Sequence, residues 1–161
     1  MTTLVIDTGM SIVGIYSVDD HVFVAYRGNR IAEAIERIQS ADEVVTYNGC
    51  NNDLKQLGKF AGIEDGDLPI NGDHVDMQAK CWEPIVGTSL LNTYCMHFDL
   101  ETSVPDPPFC PSAEEEERER KYELGNQCDV YMTLKLWELW KADKLRLMGY
   151  GYTHHSNGGW R

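Results

Sequence analysis

Three aspartates stand where a chain would have to place them to hold a divalent cation. Asp7 closes the apolar run Thr3-Leu4-Val5-Ile6. Asp53 follows Val44-Val45-Thr46-Tyr47-Asn48-Gly49 at the mouth of a segment with Leu54, Leu57, Phe60 and Ala61 at helical spacing. Asp129 lies at the edge of the stripe Val130, Leu134, Trp137. Taken singly, Asp53 reads as a helix N-cap. Taken together, three converging carboxylates repel one another unless a cation sits between them. Oxygen-only ligands suit Mg²⁺ or Mn²⁺. Two such ions about 4 Å apart activate a water and stabilise a leaving oxygen in phosphodiester hydrolysis.

The elements that position these groups follow from periodicity. Residues 3–7 read as a fully buried, central strand ending in a carboxylate, the place where α/β sheets line a ligand crevice. Ile12 to Val18 is a second strand, Asp19-Asp20 a hairpin turn, and His21 to Tyr26 a third strand. Asn29 caps a helix with Ile31, Ala34, Ile35 and Ile38 on one face. Glu43 to Tyr47 is a strand, broken at Asn48-Gly49 because both residues tolerate positive φ, and a helix follows Asp53.

Beyond them, Gly62 to Asp73 is a polar loop and His74 to Met77 a short strand. Gly87-Thr88-Ser89-Leu90 opens a helix, and Val104 to Pro111 is a stiff extended connection. Ser112-Ala113-Glu114-Glu115 is a capping box, and its acidic run is a solvated helix start. That helix breaks or bends near Gly125 and runs on from about Asn126 to Ala142. Residues 149–161, with His154-His155, read as a flexible tail. The reading is α/β, a mixed central sheet flanked by helices, in a single domain over residues 1–161.

Composition narrows the function. With 14 Lys plus Arg against 26 Asp plus Glu, the formal charge is −12. Such a chain repels phosphate at long range, which argues against tight, unaided nucleic-acid binding but not against a metal-dependent nuclease. The start Met1-Thr2-Thr3-Leu4 has no basic, apolar leader pattern, and no apolar run approaches the roughly 20 residues of a membrane helix. Five scattered cysteines, none in a CxxC pair, speak against zinc and for reduced thiols, hence a cytoplasmic location.

The order of these segments resembles the DnaQ-like 3′–5′ exonucleases of the ribonuclease H-like superfamily. Leu4-Val5-Ile6-Asp7 resembles the first motif of that family. Val44 to Gly49, through Asp53-Leu54 to Leu57, resembles the second. His74-Val75-Asp76-Met77 is similar to the family's strand with a non-catalytic Asp, and Asn126 to Leu136 resembles the third motif. The likeness spans roughly residues 3–145 and rests on order and spacing together.

The resemblance implies a ribonuclease H-like fold and hydrolysis of DNA or RNA from a single-stranded 3′ end. It implies a Mg²⁺ or Mn²⁺ pair held by Asp7, Asp53 and Asp129, with Asp7 bridging. Thr8, Gly9, Asn48, Asn52 and Asn126 would contact the substrate. A protein partner would supply the basic surface that the chain lacks. The segment Ile6 to Gly14 is also similar to the first strand of RuvC-like resolvases, though the later motifs fit the exonuclease pattern better.

Two departures bear on activity. The family's Glu two residues after the first Asp is Gly9 here. Its water-orienting Tyr or His before the last Asp is replaced by Gly125 and Leu124. Tyr122, seven residues before Asp129, shares its face if the helix is continuous, and takes the catalytic role of the missing group. Glu123 and Asn126 lie close by. The alternative is an inactive module of the same fold that binds nucleic acid or a protein.

Overall fold

The computed structural model describes residues 1–9, 11–64, 66–81, 91 and 115–145. The expectations for Gly87 to Leu90, Val104 to Pro111, Ser112 to Glu114 and the 149–161 tail lie outside the described residues.

Five strands form one mixed sheet: β1 (Thr3–Thr8), β2 (Ile12–Ser17), β3 (Val22–Arg27), β4 (Glu43–Thr46) and β5 (Asp73–Asp76). Their order is β3-β2-β1-β4-β5, with β1 central. β1 pairs antiparallel with β2, placing Asp7 opposite Gly14, and parallel with β4. β2 and β3 are antiparallel, whereas β4 and β5 are parallel. The hairpin is possible because residues 18–21 turn tightly, with His21 at a φ of 56°. That conformation makes the third strand start one residue later than expected, at Val22. The parallel pairs need crossovers. These are α1 (Ile31–Gln39) and α2 (Asp53–Phe60).

Strand alternation sorts the core into two layers. Leu4 and Ile6 face Ala34, Ile35, Ile38 and Leu57 of α1 and α2. Val5, Val45 and Val75 face the opposite side, against Met77 and Cys81 of α3 (Met77–Cys81) and Val130, Leu134 and Leu136 of α4 (Glu115–Lys141). The fold is therefore α/β, a mixed five-stranded sheet with helices on both faces.

Three local expectations change. Asn29 does not cap α1: it sits in a 3₁₀ turn at Gly28–Arg30, and α1 starts at Ile31 with no side-chain cap bond. Phe60 is 40% exposed, so the buried face of α2 is carried by Leu54 and Leu57 with Gly58. Most important for the site, α4 is one continuous helix of 27 residues and does not break at Gly125. A glycine inside a helix costs about 1 kcal/mol relative to alanine. Here the helix is buried on several sides just beyond it, at Asn126, Val130, Met132, Thr133, Leu134 and Leu136, and that packing offsets the cost.

Candidate functional site

At the C-terminal end of β1 a cleft of about 220 Å³ opens between the sheet and α4. Its floor is Asp7, Thr8 and Gly9. One side is Ser11, Ile12 and Arg27, and the helix side is Glu119, Tyr122, Asn126 and Asp129. The helix residues recur at i, i+3, i+7 and i+10, one stripe of a straight helix. Continuity through Gly125 is what brings Tyr122 into line with Asp129.

Asn126 locks the helix onto the strand. It is only 5% exposed. Its Nδ2 donates to the Asp7 carboxylate Oδ2 at 2.6 Å and to the Asp7 carbonyl oxygen at 3.0 Å. The opposite position of the ladder must be Gly14: a Cβ there would lie 1.9 Å from Asn126 Oδ1. Asn126 therefore orients Asp7 while itself lining the cleft.

Asp53 goes elsewhere. It is 2% exposed at the first turn of α2. Its Oδ1 accepts from the Thr8 backbone N–H at 2.8 Å and from the Thr8 hydroxyl at 2.7 Å. The cause is parity along β1: Asp7 follows Val5 toward α4, whereas Thr8 follows Leu4 and Ile6 toward α1 and α2. Burial pushes the Asp53 carboxyl up to about 6; the Thr8 hydrogen bonds oppose that rise and the Asp76 charge adds to it. Gln56 Nε2 also donates to the Gly9 carbonyl oxygen, so α2 ties down both residues that follow Asp7.

The remaining expected contacts separate from the cleft. Asn48, at a φ of 61°, forms the turn after β4. Its Oδ1 accepts from Asn51 Nδ2, and its N–H donates to Asp76 Oδ1 at 2.8 Å. Gly49 serves close approach rather than positive φ, since a Cβ there would lie 2.1 Å from Thr46 Oγ1. Asn52 is exposed and precedes α2, its carbonyl oxygen accepting from Gln56 N–H. Glu123 is paired with Arg27 at 3.0 Å.

Asp76 organises this loop, accepting from the N–H groups of Asn48, Cys50 and Gln78. Its position at a strand end was the only sequence signal for that role. Beside it, Cys50 Sγ lies 3.7 Å from His74 Nδ1, and the other ring nitrogen of His74 lies 2.9 Å from Thr46 Oγ1. Burial lowers the His74 pKa and raises that of the Cys50 thiol, the latter reinforced by the charge of Asp76. This is the pattern of a neutral pair, not of an activated thiolate.

Arg27, missed as a site residue at the sequence level, is the one cation lining the cleft among the described residues. Its Nη1 meets Glu119 Oε2 at 2.9 Å and its Nη2 donates to the Glu119 carbonyl oxygen at 2.6 Å. An Arg at a strand end gave no signal for it; the partners lie about 90 residues away in sequence.

A hard cation would find carboxylate oxygens from Asp7 and Asp129 in this cleft. Among the described residues, no group of three or more His, Cys, Asp and Glu side chains is placed to hold one metal ion. Asp53, whose Oδ1 accepts from Thr8, does not line this cleft, so the three expected carboxylates are not gathered around one point.

Also among the described residues, no helix is long and apolar enough to cross a membrane, and Cys50 and Cys128 are free thiols. Comparison with protein-family models gives no match, and comparison with curated proteins gives none either.

Proposed function

We propose that this chain is a metal-dependent nuclease of the DnaQ-like 3′–5′ exonuclease type, hydrolysing phosphodiester bonds of a DNA or RNA strand. The observation that carries the reading is the convergence of Asp7, from the central strand, with Asp129 and Tyr122, from one helix, on a single cleft. The five-stranded mixed sheet is compatible with a ribonuclease H-like fold.

In this reading Asp7 and Asp129 hold Mg²⁺ or Mn²⁺. The ion, when bound, neutralises phosphate charge and makes a water more acidic. Asn126 keeps the Asp7 carboxylate turned to the helix side of the cleft. Tyr122 and Asp129 line the same cleft, and in this reading the Tyr122 phenol orients a water there. Asp53 acts through Thr8, fixing the backbone that forms the cleft floor.

A second reading, an inactive module that binds nucleic acid or a protein partner, is favoured by one specific arrangement: the third carboxylate is spent on Thr8, and Gly9 brings none. One experiment separates the two. A 3′-labelled single-stranded oligonucleotide is incubated with Mn²⁺ and either wild type or Asp7→Ala. Loss of label with wild type only, together with an Mn²⁺-dependent rise in Tm that Asp7→Ala lacks, supports the nuclease. An equal rate in both proteins removes Asp7 from the chemistry. No degradation and no Mn²⁺ shift in folded wild type leaves the inactive module.

A further inference from the structure

The cleft carries Asp7, Glu119 and Asp129 against one guanidinium, in a chain of net charge −12. Anything phosphate-bearing that enters needs a cation from the protein as well as from a metal. Arg27 stands at the end of β3 with its side chain 30% exposed, across from Asp7 and Asp129. Its guanidinium is a planar fork of donors, suited to two phosphate oxygens at once. It is already occupied by carboxylates: Glu119 at 2.9 Å and Glu123 at 3.0 Å, whose side chains are 57% and 48% exposed.

We propose that Arg27 is the phosphate-binding residue of this cleft, exchanging Glu119 and Glu123 for a phosphodiester of a single-stranded nucleic acid. The inference rests on the nuclease reading of the cleft. Exposed ion pairs are weakly held, so the exchange is nearly balanced and a strand phosphate can win it. The Glu119 carbonyl oxygen, which accepts from Nη2 at 2.6 Å, keeps the guanidinium at the cleft wall while its carboxylate partners let go. Glu119 and Glu123 thereby act as built-in competitors. They discharge Arg27 when no strand is present and raise the threshold for stray anions.

The test is fluorescence anisotropy of a 5′-labelled single-stranded oligonucleotide, with Ca²⁺ replacing Mn²⁺ to keep hydrolysis slow. Wild type, Arg27→Ala, Arg27→Lys and the double variant Glu119→Gln/Glu123→Gln are compared across a salt series. Losing one charge-assisted phosphate contact weakens binding about tenfold or more in Arg27→Ala. It also lowers the slope of log K against log salt by about 0.7, the value for one phosphate of a single strand. Arg27→Lys keeps the charge without the fork and falls between. The double variant frees Arg27 and binds several-fold more tightly, a gain that loss of folding cannot mimic.

Equal binding and an equal salt slope in wild type and Arg27→Ala overturn the assignment while leaving the cleft a strand-binding site. Unchanged or weaker binding by the double variant also overturns it, making Arg27 a structural tie between β3 and α4. No strand binding by wild type in either Ca²⁺ or Mn²⁺ overturns the nuclease reading and this inference together.

Discussion

Replacing Gly14 by alanine tests the joint on which the cleft depends. In most strands Gly→Ala is favourable, by about 0.4–1 kcal/mol, because it restricts the unfolded chain. Here the added methyl would lie 1.9 Å from Asn126 Oδ1 and 2.9 Å from Asn126 Cγ. The Asn126 side chain would have to leave. It would forfeit its hydrogen bond to the Asp7 carboxylate, worth about 1.5–3 kcal/mol, and a neutral one to the Asp7 carbonyl, worth about 1 kcal/mol. We therefore expect Gly14→Ala to destabilise by about 2–4 kcal/mol.

Asn126→Ala loses the same bonds but also removes Oδ1, a buried acceptor with no partner among the described residues. Its cost should be lower, about 1–2 kcal/mol. In the Asn126→Ala background the clash with the amide is gone, and the Gly14 methyl still meets Phe23 Cε2 at 3.0 Å, a ring edge that can move by tenths of an ångström. The second substitution should then cost under about 1 kcal/mol, leaving an interaction energy of about 2 kcal/mol in the double-mutant cycle. Urea denaturation of the four proteins, with equal m-values, measures it. Additivity to within about 0.5 kcal/mol, or a stabilised Gly14→Ala, would refute the packing of Asn126 over Gly14.

Two further outcomes follow from Asp53 and Gly9. The Asp53 carboxyl is raised to about 6, so in the folded state it takes up a proton before it does in the unfolded chain. Its burial therefore costs stability fully above about pH 7, by about 3 kcal/mol, and the cost fades as pH falls toward 4. Asp53→Asn keeps an acceptor for Thr8; urea midpoints at pH 8 and pH 5 should show it stabilised most at pH 8, and a wild-type-like difference at both pH values would refute the burial argument. Gly9→Glu adds a carboxylate beside Asp7 and must displace Ile12 Cγ2, 2.8 Å from the new Cβ. We expect a larger Mn²⁺-dependent rise in Tm than in wild type; no gain would mean that the Ser11–Ile12 side of the cleft turns the new group away.

Much of the frame was legible because single-residue patterns dictated it. The run Thr3 to Ile6 could only be a buried central strand, and the alternation Leu4/Val5/Ile6/Asp7 decided which face Asp7 takes. The same alternation, carried one residue further, sends Thr8 to the other face, where it meets Asp53. That pairing joins residues 45 apart, and no local pattern encodes it. The continuity of α4 was hidden by Gly125: propensity reads a break there, whereas burial of the following turns overrides it. Arg27 escaped notice because its meaning lies in Glu119 and Glu123, which reach it only after the helix has docked.

The 27 residues of α4 amount to a rod about 40 Å long. Glu119, Tyr122, Asn126 and Asp129 occupy about 15 Å of it, at fixed intervals. A ligand lying along this wall is met by a graduated ruler: no segment of that wall has to be ordered on arrival, so the entropy of capture falls on side-chain rotamers and on the ligand itself. The same rigidity binds the fate of the four residues together. A push on the far end of α4, where Lys141 pairs with Glu43 at the start of β4, is delivered to all of them as one displacement.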